Sequence, residues 1–429
     1  MPDETETVCF KNHVGYMTNS TIQFNQSNYT EFLRSNRSKK QDQKESSKCS
    51  DSVSPLVVNT KTSSLLENQP YFGGLDVDFD NMPGVVRKFA LQSLAREILT
   101  DRGKKKHRIG VCMRNLAFKK SHVELGYSEV HQRASYKNLA VCGSIWICPV
   151  CAAKVSEIRR QSLLAGITSH SELHYYLLTF TIGHKKQDRL SKLIDINTKA
   201  INATRSGKYW QSFKDQIGYI GTISTMEVTV NPSAAGWHPH KHVLLLTSKP
   251  ASEKEIQDYF SDRYLKAVVK YGGYATESIA FDVEYAKDYQ VAAEYVLKWG
   301  AMEEVTRSHL KKAGNGGYSA FQLLELAAKG ETWAIEAYRE FEKATKGKKL
   351  LTFSHGLKEY LGLDDLSDQE IAESEEKDTE WRLLARIDWE TWKQISKKHL
   401  VGKLLNAAKF NDEKIINNFF EEHKIDFRV

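Results

Sequence analysis

The sequence predicts an α+β protein built around an antiparallel sheet with helices on one face. Three observations carry this. Between Leu173 and Gly300, strand-like and helix-like stretches alternate in the order β-α-β-β-α-β-α. Two neighbouring strand-like stretches are joined by the short turn "NPSAAG", which makes them an antiparallel pair. The second helical stretch opens on Ser252 with Glu255 three residues on, a capping box. The order is the split β-α-β-β-α-β plan.

Element by element, residues 1–75 are rich in Ser, Asn, Gln, Lys and Thr without a sustained period and read as a disordered polar tail. Residues 76–165 read as a helical, cysteine-rich subdomain, opening with the helical pattern "VVRKFALQSLAREIL". Residues 166–310 form the core. Its strands are "LHYYLLTFTI" (173–182), the β-branched "YIGTISTMEVTV" (219–230), the strand that begins "GWHPHKHVLLL" (236–246) and "SIAFDVEYA" (278–286). Its helices occupy the stretch up to about 213, then 251–271 and 288–300. Beyond the glycine-rich "KKAGNGGY", residues 311–365 read as helices, and 366–429 as a charged helical tail.

Composition bounds the function. The 429 residues are 41% hydrophobic and carry a net charge of +7, a mild hint of a polyanionic partner. No apolar run approaches the roughly 20 residues needed to span a bilayer, and the start "MPDETETVCFKNHVG" lacks a signal-peptide pattern. No membrane partner and a cytoplasmic location are therefore expected. Of six cysteines, Cys112, Cys142, Cys148 and Cys151 cluster, with Cys148 and Cys151 in C-x-x-C spacing. In a reducing compartment that cluster suggests a structural Zn²⁺ site, with His107 or His131 able to replace Cys112; buried free thiols are the plainer alternative. The basic run Lys104, Lys105, Lys106 and Arg108, with Arg159 and Arg160, is ordinarily a solvated face. Beside a zinc subdomain it gains a use as phosphate contacts to DNA.

The histidine strand carries the chemistry. His238, His240 and His242 alternate, so they share one face, which sets a histidine face apart from an aliphatic one. A lone histidine is ordinary surface, but three in alternation suit a divalent ion. Glu227, on the preceding strand, can face them, and two histidines with one carboxylate suit Mg²⁺ or Mn²⁺. On the following helix, Tyr295 and Lys298 stand at i and i+3 and share a face. A tyrosine hydroxyl near a metal and a lysine can attack a phosphodiester, although a tyrosine packed in an amphipathic helix is commoner.

These residues in order, with "CGSIWICPVCAAKVSEIRR" upstream and "KKLLTFSHGLKEYLGL" downstream, resemble the HUH endonucleases, specifically the plasmid rolling-circle replication initiators. The resemblance covers roughly residues 105–375. It implies a ferredoxin-like HUH core, His240 and His242 as ligands of the catalytic metal with Glu227 as third ligand, Tyr295 as nucleophile and Lys298 as its phosphate-orienting partner; His238 becomes dispensable. It also implies strand-specific nicking of single-stranded origin DNA through a 5′-phosphotyrosine, with host helicase and DNA polymerase as partners. Where some relatives carry a second tyrosine this chain has Trp299, so termination needs either a water activated by a carboxylate or a second subunit, the latter in a homodimer. A relaxase or rolling-circle transposase would keep this chemistry. A non-catalytic, zinc-dependent DNA-binding protein would not.

Overall fold

A computed structural model describes residues 78–79, 81–100, 107–233, 236–286, 289, 291–292, 317–374 and 380–427. All of them belong to the unit Gln69–Val429. In chain order its main elements are α1 (Gly84–Leu99), β1 (His122–Ser128), β2 (Arg133–Lys137), α2 (Pro149–Thr168), β3 (His174–Thr181), α3 (Leu190–Thr204), α4 (Gly207–Ile217), β4 (Tyr219–Asn231), β5 (Gly236–Thr247) and α5 (Glu253–Lys270). Then come α6 (Glu277–Ala280), β6 (Phe281–Ala286), α7 (Ala320–Ala328), α8 (Thr332–Thr345), β7 (Leu351–Phe353), α9 (Leu357–Tyr360), α10 (Asp368–Glu373), β8 (Trp381–Asp388), α11 (Trp389–Lys397), α12 (Val401–Ala408) and α13 (Glu413–Glu422). The molecule is thus mixed α+β with antiparallel sheets.

The larger sheet has the order β6-β3-β5-β4-β7, antiparallel throughout. Its first four strands, taken with α3 and α5, follow the split β-α-β-β-α-β plan read from the sequence. The Ser252–Glu255 capping box forms reciprocally and starts α5. Two elements differ from the reading. Residues 277–280 form the helical turn α6, and the last strand starts only at Phe281. The three residues of β7 extend the sheet edge beside β4, where helices alone were expected.

Helices cover both faces of this sheet, not one. On the first face Tyr176, Leu178, Phe180, Val243 and Leu245 pack against α3, α5, α7 and α8. On the second, Tyr175, Leu177, Ile223, Leu244 and Leu246 pack against α2 and the segment around Leu350–Ala372. Strand β5 explains the division, because its parity runs His238, His240, His242, Leu244, Leu246 along one face. The histidine face is therefore itself aliphatic at one end, a correction to the expected separation. Leu244 and Leu246 are fully buried, each contributing roughly 2 kcal/mol of transfer energy, and they fix the register that lines up the histidines.

A second sheet, β2-β1-β8, joins distant parts of the chain: Leu125 faces Ala385 and Val123 faces Ile387. Residues 381–388 are thus a strand, and the expected purely helical C-terminal segment is instead part of a packed layer. Its core holds Val123, Leu125, Ile387, Trp392, Leu404 and Phe420. Gly126 is required here: an added Cβ would lie 2.2 Å from the Trp381 indole, which sits over it. Helix α1 lies between this layer and the rest, with Gly402 of α12 packed on Phe89 and Val86.

Candidate metal centres

Strand pairing builds the first centre. Glu227 of β4 sits directly across from His240 of β5, and Thr225 and Thr179 flank His242 from the two neighbouring strands. All of these side chains share the second sheet face. The Nε2 atoms of His242 and His240 converge on one oxygen of Glu227, at 3.2 and 3.7 Å. The three offer ligand atoms within 4.8 Å of one another. A thiolate-free set of two imidazoles and a carboxylate fits a hard or borderline divalent cation, so the residues present suit Mg²⁺ or Mn²⁺.

The surroundings tune these ligands. Thr179 Oγ1 lies 3.1 Å from His242 Nδ1; in the tautomer protonated at Nδ1 the hydroxyl accepts that hydrogen and Nε2 is left bare for a cation. Burial lowers the proton affinity of His240, opposed by the Glu227 charge, which favours the neutral, ligating imidazole. His238 lies outside the group of three. It stacks on His184 with centroids 4.5 Å apart, and burial, then His240 and His184, bring its pKa down to about 4. Thr179, Thr225 and His184 were missed in the sequence, because strand pairing alone places the two threonines beside β5 and only the folded chain stacks His184 on His238.

Tyr295 and Lys298 lie outside the described residues, as do Lys104, Lys105 and Lys106. Tyr289, Val291 and Ala292, which precede Tyr295 in the chain, are described and helical. Ala292 is buried in the cluster with Leu244 and Leu246, on the histidine side of the sheet. Arg108 is exposed and donates to Gln369. Arg159 pairs with Asp368 at 3.0 Å and Arg160 with Glu157 at 2.6 Å.

The second centre is closed. Cys148 is the N-cap of α2 and Cys151 lies in its first turn, so both sulfurs sit at the positive end of the helix dipole. Cys112 follows the 3-10 turn Arg108–Gly110, and Cys142 comes from the loop before α2. All four are free and buried. Contacts between Cys112, Cys142, Cys148 and Cys151 run at 3.6–3.7 Å. A zinc tetrathiolate with Zn–S of about 2.3 Å has a tetrahedral edge of about 3.8 Å, close to the three contacts Cys112–Cys148, Cys112–Cys151 and Cys142–Cys151, and all four sulfurs lie within 4.8 Å of one another. Hydrogen bonding to Cys142 and burial raise Cys112 and Cys148 respectively, while Cys142, accepting from its neighbours, is pulled low. His107 is not a ligand: it faces Glu342 at 3.4 Å and caps Ile109.

Among the described residues no helix is long and apolar enough to cross a membrane. The family model described as "Replication protein" matches residues 135–399, more than half of the chain. A "Protein rep" of Streptomyces lividans is 26% identical over 349 residues, 63% of this chain and 75% of that one. A "Neomycin resistance protein" of Streptomyces cyanogenus is 35% identical over 153 residues, 29% of this chain and 35% of its own. A "Protein rep" of Bacillus amyloliquefaciens is 25% identical over 167 residues, 38% and 43% of the two chains. No solved structure matches.

Proposed function

The chain belongs to the replication protein family of plasmid initiators, and from that premise we propose that it starts rolling-circle replication by nicking one strand of its plasmid origin. The carrying observation is the convergence of His240 and His242 on Glu227 in a sheet of split β-α-β-β-α-β order, which supports reading residues 166–310 as an HUH core. Glu227, His240 and His242 would hold a divalent cation, Mg²⁺ or Mn²⁺, which when bound would supply Lewis-acid polarisation of the scissile phosphate. Tyr295 supplies the nucleophile. Its oxygen bonds to phosphorus as the bond to the 3′ oxygen breaks; the tyrosyl proton leaves and the departing 3′ oxygen is protonated. Tyr295 then carries the 5′ phosphate, and Lys298 offsets its charge. The 3′ hydroxyl is left for the host polymerase to extend behind a host helicase. With Trp299 where a second tyrosine would stand, a water activated by a carboxylate or a second subunit would close the cycle.

The cysteine cluster is read as a structural Zn²⁺ site that consolidates residues 76–165. Lys104, Lys105, Lys106 and Arg108 lie just before it in the chain and are read as contacts to origin phosphates in the cytoplasm. Arg159 and Arg160, held by carboxylates, contribute little to that. The test is cleavage of single-stranded origin DNA by the purified chain with Mn²⁺. Attachment of the protein to the 5′ end of one product is expected, and its loss in Tyr295→Phe. Full attachment in Tyr295→Phe would remove that nucleophile. A wild-type chain that binds the DNA yet never cuts it would leave a zinc-dependent DNA-binding protein instead.

A further inference from the structure

We infer that α1 is the outer shell of the thiolate cluster: Gln92 donates both hydrogens of its amide to Cys112 and Cys148, and Lys88 and Arg96, one turn to either side, offset the charge of the loaded site. The inference rests on the zinc reading of the four cysteines and adds to it three positioning residues that are not ligands.

The geometry is specific. Gln92 Nε2 lies 3.3 Å from Cys112 Sγ and 3.3 Å from Cys148 Sγ, and the side chain is 2% exposed. One amide group with two hydrogens thus meets two sulfurs, an arrangement that stabilises sulfur as an anion more than as a thiol. Arg96, also buried, donates from Nη2 to the Cys112 carbonyl at 3.2 Å and from Nε toward the Ile109 carbonyl at 3.5 Å, which fixes the loop that brings Cys112 in. Residues 88, 92 and 96 stand at four-residue steps and so share one stripe of α1. Burial first, then Arg133 for Lys88 and Arg114 for Arg96, lower the proton affinity of both groups; the sulfurs act in the opposite sense, Cys148 and Cys151 on Lys88 and Cys112 and Cys148 on Arg96, so it is the cluster that favours the two cations.

Charge balance gives the stripe its purpose. Four thiolates around a divalent zinc leave a net charge of minus two, and a buried charge persists only where it is paired and hydrogen-bonded. Lys88 and Arg96 bring plus two. Behind the stripe, Phe89 and Val86 are held by Gly402, so α1 keeps its distance from the sulfurs without help from the ligands.

The full-length protein is purified with zinc, and Gln92→Met and Gln92→Glu are compared with it in three measurements. Competition with a chromogenic chelator should show Gln92→Met losing zinc about tenfold more readily, and Gln92→Glu, with a carboxylate against two thiolates, more readily still. The pH of half-release should move upward in both, because sulfurs without a donor take up protons sooner. In the cobalt-substituted protein the thiolate-to-metal charge-transfer band should shift to lower energy in Gln92→Met, a signature that packing loss alone does not give. Gln92→Glu keeps the shape of the side chain, so the comparison stays informative if methionine disturbs the helix. Wild-type chelator competition and an unshifted cobalt band in both variants would overturn the inference while leaving zinc in place. Wild-type protein that takes up neither zinc nor cobalt would overturn the zinc reading, and this inference with it.

Discussion

The two centres differ in closure more than in residue count. The four cysteines are at most 2% exposed and come from a 3-10 turn, a loop and a helix start. The triad of β4 and β5 leaves half of the Glu227 side chain in solvent, with His240 and His242 at 19% and 13%. A closed tetrathiolate contributes to folding, whereas an open set of three ligands leaves positions for a substrate oxygen. The contrast teaches that ligand origin follows purpose: loops gathered around an ion depend on it for their shape, while side chains on a paired strand are in place before any ion arrives.

That contrast can be broken on the stability scale, starting with the largest effect. Cys148→Ser, or prolonged chelation, should cost several kcal/mol, since structural zinc in small sites supplies binding energy of order 10 kcal/mol. Thermal unfolding with hydrogen exchange over α1 and α2 reads it, and unaltered protection there would mean the cluster is mere packing. Lys241 provides a reference belonging to neither centre. It points to the face opposite the histidines, where burial first, then Arg205 and Lys348, lower its pKa from 10.5 to about 8. The folded state therefore holds this proton less tightly than the unfolded chain. The penalty is complete below about pH 8 and fades as the pH rises to 10.5. Lys241→Met should accordingly stabilise the protein by up to roughly 3 kcal/mol at pH 7, with the gain disappearing in melts above pH 10.5. A gain independent of pH would place its origin in packing.

Smaller again is Thr179→Val, which frees His242 Nδ1. A tenfold loss of Mn²⁺ affinity, about 1.4 kcal/mol, should appear by titration calorimetry and be restored in Thr179→Ser; no change would mean that the hydroxyl does not orient the ring. The smallest effect on stability belongs to His242→Ala, expected within about 1 kcal/mol of wild type, although metal-dependent cleavage should vanish. A melting point that collapses instead would show the open centre to be as structural as the closed one.

Much of the sheet was legible because a strand has period two and a histidine row advertises it. Glu227, one turn upstream, was legible for the same reason. The C-x-x-C spacing announced the cysteine cluster. What stayed hidden lies in pairings that a single sequence does not display. Strand β8, "WRLLARID", follows the acidic helix-favouring run "ESEEKDTE" and carries its own good helix formers, so its partner rather than its propensity makes it a strand. Strand β7 is three residues long and has no period to read. Gln92 looks like any polar position on an amphipathic helix until the sulfurs are placed beside it.

The pairing of β1 with β8 imposes an order of events on the growing chain. Leu125 leaves the ribosome about 260 residues ahead of its partner Ala385, an interval on the order of tens of seconds during synthesis. Through that interval the edge of β1 that β8 later covers is bare and one apolar face of the hairpin is uncovered, which is when it is most open to mispairing. The larger sheet, whose strands all emerge earlier, can form in the meantime. A chain released before residue 388 would thus carry the complete histidine centre and an unfinished second layer, so translation itself sets the larger sheet ahead of the smaller one.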